Sequence, residues 1–513
     1  MTSVAAWIDG AAARWSGAAY LEDAHGPRTV TYAGLRRCTQ AWQRRLDDAG
    51  VPPGARVGVR LADPLDYATA LVSLLGAGRV AVPLDPAAPA AEVDRVLAVA
   101  RPVAVVSDNP EGLTPGLPVL TAPDPDTDPE PARGGPEPAR GGPEPARGGP
   151  EPARGGRPTG GIFLCTSGTT GSPKGVLLSE RQLTHVAVGV AIHHRLTPAD
   201  RGYCCLPLFH VNAEVVGLLA TLAARACLVL DRRFSRRGFW AAIEDKQVTW
   251  INAVPAIITV LAADPAAAPS SGLVRFVRSA SAPLSPSVLG RFERAFGIPV
   301  VETYGMTEAA SMITANPLHG PRKAGSAGLP AGAEVRIVQR GGQRYLPCPA
   351  GTVGRVQIRG RGVIGEYAEN GPAGAIDPAG WLDTGDLGHL DRDGYLFLAG
   401  RTDDVINRGG EKIYPREIED VLLAQPGVRF AAVVAAPDEV LGERPVAYVV
   451  PAWPSAGQPL EDAQLEDALR EACEAALPRP KRPAAFHLVP ELPVGPTGKV
   501  ARRRLRELAA ARE

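Results

Sequence analysis

The sequence predicts an α/β fold of layered sheets and helices, followed by a smaller α+β domain. The main observation is that short apolar segments rich in β-forming residues alternate with Ala/Leu-rich segments of helical character. Residues 56–60 predict a strand before a helix at 66–78, and residues 79–84 predict a strand before a helix at 91–100. A second observation is the length of 513 residues, which is too long for one ordinary hydrophobic core.

The smaller domain is predicted to begin close to Gly400-Arg401-Thr402-Asp403. Before this segment, Asp391-Arg-Asp-Gly-Tyr395 is typical of a hairpin turn. After it, the pattern predicts a helix, two strands, a second helix and a last strand, at residues 416–424, 430–435, 445–451, 463–477 and 484–489. These elements make a unit of about 110 residues, a size typical of an independent domain. We therefore divide the chain into an N-terminal domain at 1–400, a junction at 401–404 and a C-terminal domain at 405–513.

A tandem repeat interrupts the N-terminal domain. The heptapeptide Pro-Glu-Pro-Ala-Arg-Gly-Gly occurs four times over residues 129–156 and contains no apolar residue larger than alanine. Two prolines and two glycines per unit exclude the helix that a seven-residue period would otherwise suggest. We expect a disordered surface loop without a catalytic role.

Composition narrows the class of protein. The 55 basic and 55 acidic residues balance, which argues against nucleic acid and an anionic membrane as bulk partners. The seven cysteines are scattered and form no C-x-x-C pair, so we expect reduced thiols and a cytoplasmic protein. The N-terminus lacks the basic segment and long apolar core of a signal peptide, and no segment approaches the length of a membrane span.

The most informative motif is a Gly/Ser/Thr-rich loop with one lysine, directly after an apolar run at 161–165 that predicts a buried strand. Backbone N–H groups and hydroxyls in such a loop can hold a polyphosphate, and Lys174 adds a positive charge. The loop differs from a Walker A motif because Ser172 and Pro173 separate the glycine from the lysine. Flexible surface loops also have this composition. The predicted phosphate contacts are Thr166, Ser167, Gly168, Thr169, Thr170 and Lys174.

This loop resembles the signature loop of the adenylate-forming superfamily, which includes acyl-CoA synthetases, aryl-CoA ligases, luciferases and peptide-synthetase adenylation domains. Six further motifs of that superfamily follow in order: Leu206-Pro-Leu-Phe-His210, Glu302-Thr-Tyr-Gly-Met-Thr-Glu308, Leu382-Asp-Thr-Gly-Asp386, Gly400-Arg-Thr-Asp-Asp404, Gly409-Gly-Glu-Lys-Ile-Tyr-Pro-Arg-Glu417 and Pro496-Thr-Gly-Lys499. The resemblance implies a large N-terminal domain of layered α/β subdomains plus a β-barrel-like subdomain. It also implies a small mobile C-terminal domain that swings about Asp403.

The resemblance further implies an ATP-dependent, AMP-forming ligase that makes an acyl-adenylate and then transfers the acyl group to coenzyme A. This chemistry brings three anionic groups together, so it needs a phosphate cradle, a divalent cation and a cation near the reacting atoms. Glu308 matches the Mg²⁺ ligand, Thr307 matches a contact to the α-phosphate, and Lys499 matches the lysine that bridges carboxylate and α-phosphate. An isolated lysine near a C-terminus is otherwise usually a solvated surface charge.

By the same resemblance, other residues bind the nucleoside and the acyl acceptor. Asp386 and Arg401 match ribose contacts, while Tyr304 and Ser281-Ala282-Pro283 match the two walls of the adenine site. Gly409 and Gly410 match a loop that lines the pantetheine channel after the small domain rotates. His210 matches a gate between that channel and the acid, although a lone buried histidine is often structural. The implied acid pocket comprises His210, Asn212, Glu214, Arg278 and Gly305.

The identity of the acid is the least determined point. The block from 206 to 317 most resembles the oxalyl-CoA synthetase branch, which predicts that Arg278 pairs with a second substrate carboxylate. The sequence departs from that branch at Asn212, where the branch has histidine, and at Glu214, where it has an apolar residue. A charged Glu214 in the pocket would disfavour a dicarboxylate and favour an amino- or hydroxyl-bearing acid, unless Glu214 pairs with an arginine.

Because the sequence departs from that branch at Asn212 and Glu214, an acceptor of the activated group other than coenzyme A remains an alternative. Related enzymes of secondary metabolism pass the activated group to a carrier-protein thiol or an amine, or use ATP with nitrite to diazotise an amino-aromatic acid. The nucleotide-binding residues would be the same in all of these. A non-catalytic adenylate sensor is disfavoured because Lys174, Glu308 and Lys499 are all present.

Overall fold

The computed structural model describes residues 3–109, 113, 116–123, 160–166, 173–263, 272–341, 344–452, 462–495 and 499–511. The tandem repeat and four predicted phosphate contacts, Ser167, Gly168, Thr169 and Thr170, lie outside these residues. The helices of the N-terminal domain are α1 (Val4–Arg14), α2 (Tyr32–Asp48), α3 (Pro64–Gly76), α4 (Ala90–Ala100), α5 (Glu180–His193), α6 (Ala220–Ala224), α7 (Phe239–Asp245), α8 (Pro255–Ala262) and α9 (Pro286–Phe296).

A six-stranded sheet carries the beginning and end of the phosphate loop. Its strands are β3 (Arg56–Arg60), β4 (Val80–Pro83), β5 (Ala104–Ser107), β6 (Val119–Leu120), β7 (Gly161–Thr166) and β8 (Lys174–Ser179), in the order β6-β5-β3-β4-β7-β8. All neighbours pair in parallel except β7 and β8. Helix α3 follows β3 as predicted, and the side chain of Asp63 caps it by accepting from the N–H groups of Leu65 and Asp66.

A nine-stranded sheet positions most of the remaining site. Its strands are β1 (Ala19–Asp23), β2 (Thr29–Thr31), β9 (Arg201–Cys204), β10 (Cys227–Leu230), β11 (Trp250–Ala253), β12 (Phe276–Ser279), β13 (Val300–Tyr304), β14 (Thr314–Ala315) and β15 (Leu329–Pro330). The order is β15-β14-β13-β12-β11-β9-β10-β1-β2, with parallel pairing from β13 to β1. The carboxyl ends of parallel strands share one edge, which is where open α/β sheets bind ligands.

One element against this sheet is a π-helix, Asn212–Leu219, whose eight residues are all buried. It begins directly after the predicted gate residue His210 and lies in the largest hydrophobic core, with helices α3 and α5 on its other sides. The sequence pattern does not distinguish a π-helix from an α-helix. Wide helical turns of this kind are frequent at functional sites.

The predicted β subdomain is a five-stranded antiparallel sheet. Its strands are β16 (Glu334–Gly341), β17 (Arg344–Pro347), β18 (Gly354–Arg359), β19 (Leu382–Leu390) and β20 (Leu396–Arg401), in the order β17-β16-β18-β19-β20. The predicted turn at Asp391–Tyr395 joins β19 to β20, and the Asp391 carboxylate accepts from the N–H groups of Asp393 and Tyr395. The register places Asp386 directly opposite Arg401.

The C-terminal domain is a second small sheet covered by helices. It contains β21 (Ile406–Arg408), β22 (Glu411–Ile413), β23 (Val428–Asp438), β24 (Gly442–Pro451) and β25 (Ala485–Leu488), with helices α10 (Pro415–Leu423), α11 (Asp462–Ala476) and α12 (Arg502–Ala510). The five predicted elements are confirmed within a few residues. Helix α12 and the β21–β22 hairpin were not predicted.

Two further observations concern the described residues. None of the seven cysteines, all of them among the described residues, forms a disulfide bond. Among the helices that the structure describes, none combines the length and the apolar character needed to cross a bilayer.

Candidate active site

The phosphate loop leaves and re-enters the sheet at adjacent positions. Thr166 at the end of β7 pairs in register with Lys174 at the start of β8, so both lie at the mouth of the loop. The ammonium group of Lys174 lies 5.9 Å from the ring centroid of Tyr367. The structure thus places these two predicted phosphate contacts side by side.

Glu308 lies in a short 3₁₀ turn, Thr307–Ala309, just beyond the end of β13. Its carboxylate is buried, and Oε1 accepts a hydrogen bond of 2.9 Å from the hydroxyl of Tyr367. The turn folds back tightly, because a Cβ on Gly305 would lie 1.2 Å from the carbonyl oxygen of Ser311. Gly305 therefore has a structural reason to be glycine, apart from its predicted place in the acid pocket.

The predicted ribose and adenine residues form one hydrogen-bonded cluster. The Asp386 carboxylate accepts from the Tyr304 hydroxyl at 2.5 Å on one oxygen and from Arg401 Nη1 at 3.1 Å on the other. Arg401 Nη1 also donates to the carbonyl of Thr384 at 3.2 Å. Burial raises the pKa of Asp386, while Arg401 and the Tyr304 hydroxyl oppose that rise. This cluster can hold two vicinal hydroxyls beside an aromatic ring.

Lys499 joins the same cluster from the C-terminal domain. The residue is exposed, yet desolvation by the surrounding protein lowers its pKa. Among the charges that act on it, Asp386 and Glu308 raise the pKa of Lys499, and Arg401 lowers it. The charges of both carboxylates therefore act on this lysine.

The junction between the domains is anchored on both sides of Asp403. On the N-terminal side, the Thr402 hydroxyl donates to the Gly385 carbonyl at 2.8 Å. On the C-terminal side, the Asp404 carboxylate is hydrogen-bonded to Arg506 of α12, which also donates to the Asp403 carbonyl at 2.8 Å. The side chain of Asp403 is exposed. The backbone thus changes its attachment from one domain to the other at Asp403.

Arg278 is the central residue of the predicted acid pocket. It is completely buried on β12, and its Nη1 donates to Asn212 Oδ1 at 2.7 Å and to Asn252 Oδ1 at 3.1 Å. Its Nε and Nη2 atoms have no hydrogen-bond partner within the described part of the chain. Burial lowers the pKa of Arg278 to about 9.

A polar path leads from Arg278 to the nucleotide side of the cleft. Asn212, at the start of the π-helix, is hydrogen-bonded to Arg278, and its amide nitrogen lies 3.5 Å from the hydroxyl of Ser281. Ser281 has a left-handed backbone with φ of 74° and is exposed together with Ala282 and Pro283. His210 is half-buried one turn before, with its ring edge-on to Phe209 at 4.5 Å. Asn252, which sequence reasoning missed, is the in-register neighbour of Arg278 on β11.

Glu214 does not take part in the hydrogen-bonded path from Arg278 to Ser281. It is completely buried, and neither carboxylate oxygen has a hydrogen-bond partner among the described residues, so no described arginine pairs with it. Positions two apart on a helix do not face each other, and Glu214 acts electrostatically on Tyr67 of α3 rather than on Arg278. Burial raises the pKa of Glu214 well above its ordinary value, which favours the protonated carboxyl.

The Gly409–Gly410 pair forms the two-residue turn between β21 and β22, with φ of 58° and 90°. Two positive φ angles are the requirement of a type I′ hairpin turn, which glycine meets at no steric cost. Its hydrogen bond from Gly409 N to the Leu441 carbonyl stays within the C-terminal domain. The structure does not place this turn among the residues gathered around Asp386.

Comparisons with known proteins agree with this geometry. The sequence model described as AMP-binding enzyme matches residues 8–368, and that of the AMP-binding enzyme C-terminal domain matches residues 417–499. The chain is 38% identical to a sulfoacetate–CoA ligase of Cupriavidus necator over 98% of this chain and 97% of that protein. It is 33% identical to an oxalate–CoA ligase of Arabidopsis thaliana over 93% of each.

Solved structures show the same arrangement of domains. ATP-bound MatB from Rhodopseudomonas palustris matches with a TM-score of 0.82 at 26% identity, over 99% of both chains. The o-succinylbenzoate coenzyme A synthetase MenE from Bacillus subtilis, in complex with ATP and a magnesium ion, matches with a TM-score of 0.78 at 28% identity, over 97% of this chain and 98% of that one. These matches confirm the predicted fold and the predicted class of enzyme, an adenylate-forming ligase of the acyl-CoA synthetase type. The chain belongs to the AMP-binding enzyme family.

Proposed function

We propose that this enzyme uses ATP to join coenzyme A to a small carboxylic acid that carries a second anionic group. The observation that carries the proposal is Arg278, a completely buried guanidinium whose Nε–Nη2 edge has no partner among the described residues. That edge offers two parallel N–H donors, the arrangement that binds carboxylates and similar oxyanions bidentately.

The hydrogen-bond acceptors of Arg278 carry no negative charge that would neutralise its guanidinium. Its two hydrogen-bond acceptors are the neutral amides of Asn212 and Asn252. The neighbouring histidines His193 and His194 contribute no negative charge, and burial together with the Arg278 charge lowers the pKa of both. A buried cation without a counter-ion is costly, and an anionic substrate group would supply the missing charge.

The similar proteins support the same chemical class. The Cupriavidus necator relative is named for sulfoacetate and the Arabidopsis thaliana relative for oxalate, and each of these acids has two anionic groups. The position of Glu214 removes the argument against such acids. Burial raises the pKa of Glu214, and its electrostatic effect falls on Tyr67 rather than on Arg278, so we propose that it neither repels a second anion nor binds an amine beside Arg278.

In the proposed first step, one carboxylate oxygen of the acid attacks the α-phosphorus of ATP, and pyrophosphate leaves. Lys499 would stabilise the charge on the attacking carboxylate and the α-phosphate, and Thr307 would donate to the latter. Asp386 and Arg401 would hold the ribose, with the adenine between Tyr304 and Ser281-Ala282-Pro283. Thr166, Lys174 and the loop between them would hold the leaving phosphates.

The donor set at Glu308 fits Mg²⁺. It is a single buried carboxylate with one oxygen already engaged by Tyr367, and Mg²⁺ binds through few carboxylates together with substrate phosphate oxygens. When bound, the cation would offset the negative charge of the phosphates. Glu308 would hold it, and the charge of Glu308 also acts on Lys499.

In the proposed second step, the sulfur of coenzyme A attacks the acyl carbonyl, AMP leaves and the thiol proton is released. This step needs Lys499 withdrawn and the Gly409–Gly410 turn brought to the thiol channel beside His210. We propose that the rotation occurs at Asp403, because Thr402 is bonded to the N-terminal domain and Asp404 to α12. The absence of disulfide bonds among the seven described cysteines suits the reducing conditions of a cytoplasmic enzyme.

The test is pyrophosphate release with ATP and Mg²⁺ over a panel of acids, each with and without coenzyme A. Turnover that requires a dianionic acid and coenzyme A, with a thioester product by mass spectrometry, is the expected result. Turnover with monoanionic aminobenzoates instead would refute the acid class. Pyrophosphate release indifferent to coenzyme A would refute the acceptor, and a carrier-protein thiol, an amine and nitrite would then be compared.

A further inference from the structure

The segment after the β subdomain's third strand contacts both halves of the predicted phosphate site. The Tyr367 hydroxyl donates to Glu308 Oε1 at 2.9 Å, and the Lys174 ammonium lies 5.9 Å from the same ring. One aromatic side chain is therefore shared by the proposed Mg²⁺ ligand and the cation at the end of the phosphate loop. Tyr367 lies outside the sequence motifs described above.

The backbone next to Tyr367 holds the strand that leaves the loop. Ala368 N donates to the Gly175 carbonyl at 2.9 Å, and Gly175 N donates to the Glu369 carbonyl at 2.8 Å. Asn370 adds a side-chain hydrogen bond of 3.0 Å to the Pro173 carbonyl. Lys174 is thus flanked on both sides by residues bonded to the segment 367–370.

The segment 367–370 lies so close to β8 that residue 175 has no room for a side chain. A Cβ on Gly175 would lie 2.6 Å from the Phe163 ring and 2.9 Å from Glu369 Cβ. Residues 367–370 are therefore fixed against β8, and the Tyr367 ring is fixed between Lys174 and Glu308.

We propose that Tyr367 is a positioning residue for the phosphate end of ATP: it holds the Glu308 carboxylate at a fixed distance from Lys174. The hydrogen bond from its hydroxyl uses one carboxylate oxygen and turns the other toward the cation site. The ring face, which is electron-rich, orients the lysine ammonium. The inference depends on the proposed roles of Glu308 and Lys174.

The experiment compares Tyr367→Phe with Tyr395→Phe. Tyr395 is a matched control, because its hydroxyl donates to the Pro321 carbonyl at 2.7 Å outside the site. For each variant we would measure ATP affinity by calorimetry in Mg²⁺ and in EDTA, the Mg²⁺ dependence of pyrophosphate release, and thioester formation from supplied acyl-adenylate. Thermal denaturation of each variant would report folding.

A hydrogen bond to a charged group predicts about a tenfold rise in the half-saturating Mg²⁺ concentration for Tyr367→Phe. ATP affinity in EDTA, thioester formation from acyl-adenylate and the behaviour of Tyr395→Phe should stay as in the wild type. A Tyr367→Phe enzyme with wild-type Mg²⁺ dependence, or with equal losses in Mg²⁺ and EDTA, would overturn the inference. If no acid supports turnover by the wild type, the proposed function fails, and the calorimetric comparison still decides the role of Tyr367.

Discussion

Replacing Arg278 by methionine tests the proposed substrate class directly. The substitution keeps much of the side-chain volume and removes the buried charge. Burial lowers the pKa of Arg278 from its ordinary value to about 9. At about 1.4 kcal/mol per pKa unit, this corresponds to roughly 5 kcal/mol of unfavourable desolvation that a bound anion can relieve.

The substitution should weaken the binding of the acid without weakening the fold. Two hydrogen bonds to a charged group contribute about 1.5–3 kcal/mol each, so the KM for a dianionic acid should rise by about a hundredfold or more. The KM for ATP should not change. Folding stability should hold or increase, because the variant no longer buries an uncompensated charge, although the amide oxygens of Asn212 and Asn252 lose a donor.

The assay is steady-state pyrophosphate release, together with chemical denaturation of the free enzyme. Arg275→Met is the control, since Arg275 pairs with the buried Asp200 at 2.6 Å close to the start of the same strand. It should lose stability and keep the KM of the acid. The reasoning is refuted if Arg278→Met keeps the wild-type KM for dianionic acids, or if it is less stable than Arg275→Met.

Three further predictions concern single residues. Lys499→Ala should abolish adenylate formation and spare thioester synthesis from supplied acyl-adenylate. Desolvation lowers the pKa of Lys499, so its positive charge should be lost at a lower pH than that of an ordinary lysine as the pH rises. The alkaline decline of kcat/KM for pyrophosphate release should therefore begin at a lower pH, and Lys499→Arg should move this decline to higher pH. Glu214→Leu should stabilise the fold by about 1–3 kcal/mol in chemical denaturation. The wild-type Glu214 keeps a proton that the unfolded chain releases above pH 4.5, so this gain should widen as pH rises. Glu180→Leu should instead lose stability, since Glu180 accepts from Val4 N at 2.7 Å. Asp386→Asn should raise the KM for ATP at least about tenfold and leave the KM of the acid unchanged, because it weakens a contact to ribose alone.

The sequence pattern predicted those parts of the fold that depend on local periodicity and turn chemistry. The strand at 56–60 and the hairpin turn at 391–395 lie where apolar alternation and an Asp-Gly pair indicate them. Helix α12 was missed because its apolar residues are few and arginine dominates its sequence. The π-helix was missed because its hydrophobic residues suit any buried helix.

The residues of the candidate site also divide into those that the sequence predicted and those that it did not. The unusual composition of the phosphate loop indicated Lys174, and the resemblance to the adenylate-forming superfamily indicated Glu308, Asp386 and Lys499. The charges of Glu308 and Asp386 both act on Lys499 in the structure. Tyr367 and Asn252 were missed, because a single tyrosine or asparagine outside a motif has no distinguishing pattern. Their importance comes from long-range contacts, across 59 residues for Tyr367 and 26 for Asn252. Such pairings depend on the sheet register, which a single sequence does not reveal.

Glu214 and Arg278 show that the consequence of burying an ionisable group depends on whether that group can become neutral. Glu214 and Arg278 are both completely buried, and each has side-chain atoms without a partner among the described residues. A carboxyl group relieves burial by keeping its proton, because its ordinary pKa lies only a few units below neutral pH. A guanidinium cannot lose its proton at neutral pH, since even the lowered pKa of Arg278 is about 9. The carboxyl can therefore take up a proton, whereas the guanidinium stays charged and would be stabilised by the proposed anionic substrate group. This asymmetry favours acids with two anionic groups over amino-bearing acids.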